Sequence, residues 1–191
     1  MNLFTRKNIL LALGLVVLGT AGRMLLLAYP NVETLTAVSI IAGALLGPYL
    51  GLAVSLFSVV GSDMMIGNTN ILLYTWSAWL VIGLTSSLLK RGRRNQVMVW
   101  MDTLKFTGFS MATTLFFYAW TNFGVWHLSG MYAHTWAGLE LCYINALPFL
   151  RNQLLGNLLI VPVVSTVVLS AYKYLPASAT ITQPAQQHSK A

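Results

Sequence analysis

The stretch Ile40-Ile41-Ala42-Gly43-Ala44-Leu45-Leu46-Gly47-Pro48-Tyr49-Leu50-Gly51 decides how this chain is laid out. Its first seven residues carry no side chain that needs water, so they read as buried helix. Gly47-Pro48 then interrupts the run, with Gly51 close behind, and a Gly-Pro pair marks a turn in preference to a kink. Two spans follow from that reading, one near residues 35–47 and one near 49–66. Thirteen residues at the helical rise reach about 20 Å, short of a hydrocarbon core of roughly 30 Å. The first of the pair is therefore short, or it borrows residues from 32–34. Ser39, Gly43, Gly47 and Gly51 recur four apart, a ridge that lets helix backbones approach closely in lipid.

Further apolar runs lie on both sides. Residues 8–28 form one, ended at Tyr29-Pro30 because the residue before a proline leaves helical geometry. Others cover 71–89, 104–122 and 147–174, with Pro148 in the first turn of the last. Residues 123–145 read as a long polar-aromatic connection, with a short helix near 136–146. Only 8% of the 191 residues are charged and the mean hydropathy is +0.70, where a soluble domain carries about 25% charged residues. The expectation is an all-α integral membrane bundle of six transmembrane helices. It forms a single domain over 1–175, followed by a polar, disordered tail at 176–191. Arg6-Lys7 ahead of an apolar run resembles a signal peptide, but without a small-residue cleavage site the run reads as a retained first span.

Charge placement sets the orientation. Arg6 and Lys7 precede the first span, the cluster 90–94 and Lys105 lie between the fourth and fifth, and Lys173 ends the sixth. All fall on one side of a six-span path, which makes that side and both termini cytoplasmic in the cell membrane. The formal charge of +7 is thus an orientation signal and does not point to nucleic acid. Cys142 is the only cysteine, so no intrachain disulfide forms.

The motifs for ATP binding by a P-loop, for zinc proteases and for serine hydrolases are absent. No catalytic set, cofactor or metal is expected. His127 and His134 would need a third ligand, such as Glu140 or Asp63, to hold a metal.

What remains is an asymmetry. Of four acidic residues, Glu33, Asp63 and Glu140 border the outer ends of spans, and only Asp102 does not. Ionisable groups at membrane depth cost about 2.5–3.5 kcal/mol on insertion scales, so they point to function. Arg23 lies one turn from the outer end of the first span. It either snorkels, pairs with Glu33, Asp63 or Glu140, or clamps a substrate carboxylate or phosphate. Asn31, Asn122, Trp126, His127 and Arg151 share that side. Aromatics interleaved with polar groups suit a pocket for a flat heterocycle. Asp63→Ala is expected to weaken binding without loss of folded protein.

Arg23, then Pro30-Asn31-Val32-Glu33, then the quoted stretch from Ile40 to Gly51, resembles the first three spans of the substrate-binding S component of an energy-coupling factor transporter. The second half, from Asn122-Phe123-Gly124-Val125-Trp126 to Leu147-Pro148-Phe149-Leu150-Arg151-Asn152, is similar to other six-span prokaryotic membrane proteins with the same first-half pattern. The resemblance covers about residues 8–172. It implies a non-enzymatic subunit that captures a small metabolite, a vitamin or its precursor, from the outer face. A separate transmembrane coupling subunit and two ATPases would then drive uptake. It also implies substrate contacts from 29–34, 63–70 and 123–146. Family members dock their coupling subunit through small residues of the first span. This chain departs from the usual Ala-x-x-x-Ala spacing and offers Gly14, Gly19 and Gly22. A membrane enzyme acting on a lipid or isoprenoid, or a solitary secondary transporter, is the alternative.

Overall fold

Thr5 starts the first helix: its hydroxyl accepts the Asn8 backbone N–H at 3.3 Å, satisfying one of the donors a helix start leaves open. The computed structural model describes residues 5–67, 70–89 and 98–174. The basic cluster 90–94 and the tail expected at 176–191 lie outside the described residues.

Among the described residues six α-helices follow in order: α1 Arg6–Leu25, α2 Leu35–Leu46, α3 Pro48–Ile66, α4 Leu72–Thr85, α5 Val99–Leu128 and α6 Trp136–Tyr174. A 3-10 turn, Ser86–Leu89, extends α4. There is no strand among the described residues. Among the described residues four stretches are long and apolar enough to cross a membrane: Arg6–Leu25, Pro48–Ile66, Leu72–Leu89 and Trp136–Lys173. Leu155, Leu159, Val163 and Val167, four apart on α6, are each at least half exposed, as a lipid-facing stripe would be.

The turn expected at Gly47-Pro48 is present. Gly47 has φ +88°, a conformation that suits glycine, and Pro48 opens α3 without needing its missing N–H. Beyond the turn, α2 and α3 run so close that a Cβ on Gly51 would lie 2.6 Å from Gly43 Cα and 2.8 Å from the Gly83 carbonyl. The small-residue ridge therefore packs α2, α3 and α4 together.

All of α2 is buried except Leu45, which is partly so. It touches α1, α3, α4, α5 and α6, so it forms the axis of the bundle. Its twelve residues measure about 18 Å.

α5 and α6 correct the sequence reading. Residues 123–128, expected in a connection, complete α5, and the loop shrinks to 129–135. α6 is one helix of 39 residues, with Pro148 and Pro162 inside it. The aromatic residues here have good helix-packing partners, which outweigh the local polar signal. Tyr118 of α5 donates its hydroxyl to the Tyr143 carbonyl at 2.6 Å, in the turn before Pro148. That bond ties α5 to α6 one residue before Ile144, whose carbonyl Pro148 leaves without its usual helical donor.

Candidate functional site

Arg23 ends α1 with its side chain turned inward. Its Nη1 donates to Asp63 Oδ1 at 2.7 Å and to Ser62 Oγ at 2.9 Å, while Nε lies 3.6 Å from Glu33 Oε2. The other Asp63 oxygen accepts the Trp76 indole N–H at 2.8 Å. One buried carboxylate thus ties α1, α3 and α4 together, and the pairing option expected for Arg23 is the one adopted, with Glu33 and Asp63. Glu33, in the α1–α2 turn, is pushed up to about 7, chiefly by burial; Arg23 opposes the shift and Asp63 adds to it.

Helix α2 is shorter than its neighbours at the end where it begins, here the upper end. Leu35 packs at the level of Val59 and Trp79, and Gly156 and Asn157 of α6 meet Val32 and Thr36. Residues 136–155 of α6 therefore rise past the α1–α2 turn, about 30 Å of helix. The space above α2 is a cavity of about 560 Å³. Arg23 and Asn31 reach it from α1 and the α1–α2 turn, and Gly67, Ile71 and Thr75 from the α3–α4 end. Phe117, Tyr118, Thr121, Asn122 and Val125 form the α5 wall. Cys142, Asn145, Ala146, Phe149 and Gln153 form the α6 wall, closed by Met131 and Tyr132 of the last loop. All three loops singled out by sequence contribute, and Arg23 is the only charged lining residue among the described residues.

Most polar groups on the wall already have partners. Thr75, Thr121 and Asn122 bond carbonyls of their own helices at 3.3, 2.8 and 2.8 Å. Asn145 donates to the Tyr132 hydroxyl at 3.4 Å. Below the cavity, Asn157 donates to Thr114 Oγ1 at 2.8 Å and Thr36 Oγ1 at 3.4 Å, fixing α6 to α5 and α2.

The remaining sequence-predicted residues do not line the cavity. Glu33 and Asp63 stand behind Arg23 and position it. His127 points to α4, with Nδ1 2.7 Å from the Tyr74 hydroxyl, and Trp126 donates to the Ala133 carbonyl at 3.0 Å. Both belong to an aromatic cluster with Phe123 and His134, ring centroids 5.2–6.4 Å apart. Glu140 and Arg151 are exposed. Eleven residues make three helical turns, so the continuity of α6 puts both on one side, roughly opposite Cys142, Phe149 and Gln153. Tyr118, Asn145 and Gln153 were not anticipated as lining residues.

The three small residues of α1 divide. A Cβ on Gly19 would collide with Ser58 and Val38, and one on Gly22 with Thr34. Those two glycines pack the fold against α3 and the start of α2 and offer no docking surface. Gly14 has nothing within 4 Å of its Cβ direction and lines a groove with Leu10, Leu11 and Val168.

The sequence profile of a family of unknown function, DUF6580, matches residues 4–180. No curated protein and no solved structure matches the chain.

Proposed function

We propose that this chain, which belongs to the DUF6580 family, is a six-span substrate-binding subunit of the energy-coupling factor type in the cell membrane. It captures a small metabolite, a vitamin or precursor, in the cavity above α2. A separate coupling subunit and two ATPases drive uptake. The upper end of the bundle is the outer face, because Arg6, Lys7, Lys105 and Lys173 lie toward the other end.

The observation that carries the reading is the short central helix. A 12-residue α2, wrapped by five longer helices, leaves a cavity at membrane depth that is apolar on its walls and polar at a few points. Sites for small ligands have that make-up, with volumes of about 300–1,000 Å³. Arg23, held from behind by two carboxylates, is a rigid cation at its edge.

Native mass spectrometry of the detergent-purified protein tests the reading. A stoichiometric small-molecule adduct, lost when Phe149→Trp fills the cavity, is the expected result. A protein that carries only lipid, from cells grown in rich medium, would refute it.

A further inference from the structure

Gln153 is 4% exposed, lines the cavity, and its amide makes no hydrogen bond among the described residues. The contrast with its neighbours is the point. The hydroxyls of Thr75 and Thr121 and the Asn122 amide N–H group are committed to backbone, and Asn157, one turn below, is committed to Thr36 and Thr114. The enclosed side-chain polar atoms without a partner among the described residues are the hydroxyls of Ser39, Ser58 and Ser165; the Gln153 amide is not one of them, so it is open to the cavity and can bond what enters it. Gln153 presents an N–H donor and a carbonyl acceptor side by side. The chemical edge that satisfies both together is another amide with its own N–H and C=O on one side, as in a lactam ring or a carboxamide. Phe117, Tyr118 and Phe149 supply faces for a flat ring.

The charge of the ligand is constrained as well. Among the described residues the lining holds no carboxylate and one guanidinium. Arg23 uses Nη1 for Ser62 and Asp63 and turns Nε toward Glu33, and no partner of Nη2 is found among the described residues. Two N–H donors are thus available for an acceptor or an anion, whereas the carboxylates of Asp63 and Glu33 are engaged behind Arg23 and neither lines the cavity among the described residues.

Resting on the proposed capture function, we infer that Gln153 is the specificity-determining residue of the cavity. It reads the amide edge of a planar, uncharged or singly anionic lactam or carboxamide, whose acidic group faces Arg23. Asn157 acts beneath it as a positioning residue, locking α6 against α2 and α5.

Two probes that differ at that edge alone test this: 2-oxo-1,2-dihydroquinoline-4-carboxylate and its N-methyl derivative, titrated by tryptophan fluorescence into the purified full chain in nanodiscs. The expected result is at least tenfold tighter binding of the N–H probe, a difference that Gln153→Met abolishes. An unchanged size-exclusion profile and melting temperature show that the variant is folded. Equal binding of the two probes, or a preference that survives Gln153→Met, overturns the role of Gln153 and leaves capture in this cavity standing. Binding of neither probe, together with a protein that carries no small-molecule adduct, overturns both. Binding of neither to a protein that does carry an adduct overturns the lactam assignment alone.

Discussion

Asp63→Ala is the perturbation whose outcome the structure changes most. Asp63 is 5% exposed and accepts from Arg23 at 2.7 Å and from Trp76 at 2.8 Å. Removal of one partner from a buried ion pair costs about 3–5 kcal/mol, because the other charge is left uncompensated. The Arg23 side chain is 24% exposed, so solvent relieves part of the loss and about 3 kcal/mol is expected. The Trp76 N–H, also orphaned, accounts for about 1 kcal/mol of it. Deletion of both charges removes the main penalty. Arg23→Leu with Asp63→Ala should therefore recover about 2 kcal/mol relative to the sum of the single substitutions. Loss of Asp63 lowers the Glu33 carboxyl, which Asp63 otherwise helps to raise, and an ionised Glu33 beside Arg23 would offset part of the penalty, so the cycle is run in a Glu33→Gln background. The assay is a double-mutant cycle by reversible unfolding in mixed micelles at pH 6. Additivity within about 0.5 kcal/mol would refute the reasoning, and so would an Asp63→Ala protein as stable as the parent. Where the sequence alone led to an expectation of weaker binding with the fold kept, the contacts of Asp63 predict a loss of stability as well, with any loss of binding passing through Arg23.

Glu33 makes stability depend on pH. Its folded value of about 7 lies above its ordinary value of 4.5, so the folded state holds the proton more tightly. Stability from this group is full below about pH 4.5 and is lost as pH rises through about 7, by up to roughly 3 kcal/mol. Glu33→Gln should flatten the melting temperature across that window and raise it at pH 8; a slope equal to the parent's would contradict the burial of the carboxyl. The α1 glycines give a paired test. Gly22→Ala forces a Cβ into Thr34 and should cost about 1–3 kcal/mol, whereas Gly14→Ala, with open space at its Cβ, should leave the melting temperature within about a degree or raise it slightly. Equal effects on size-exclusion profile and melting temperature would show that α1 does not pack on α3 as described.

Local chemistry carried much of the architecture. Gly47-Pro48 ends one helix and opens the next whatever surrounds it, and long apolar runs with few charges have nowhere to go but lipid or core. The sparse charges likewise made Arg23, Glu33 and Asp63 legible, since a charge at membrane depth needs a partner. What the sequence could not rank was packing. Residues 123–146 mix aromatics, histidines and a proline beyond, so their local signal reads as a connection. Only the contacts of Tyr118 with Tyr143 and of Asn157 with Thr36 and Thr114 reveal two long helices. With that helix broken, the spacing of Cys142, Asn145, Phe149 and Gln153 did not read as one face, and Glu140 and Arg151 could not be seen to lie opposite it.

The sequence by itself determined the kind of molecule, the turn at Gly47-Pro48 and the choice of the three loops, because these follow from solvent transfer and backbone sterics within a few residues. Tertiary structure alone decided which polar groups are spent and which are free. Asp63 is spent on Arg23 and Trp76, and Gln153 is left free among the described residues by a central helix too short to fill the bundle. Hydrogen-bond satisfaction is a property of pairs distant in the chain, so no single segment can announce it.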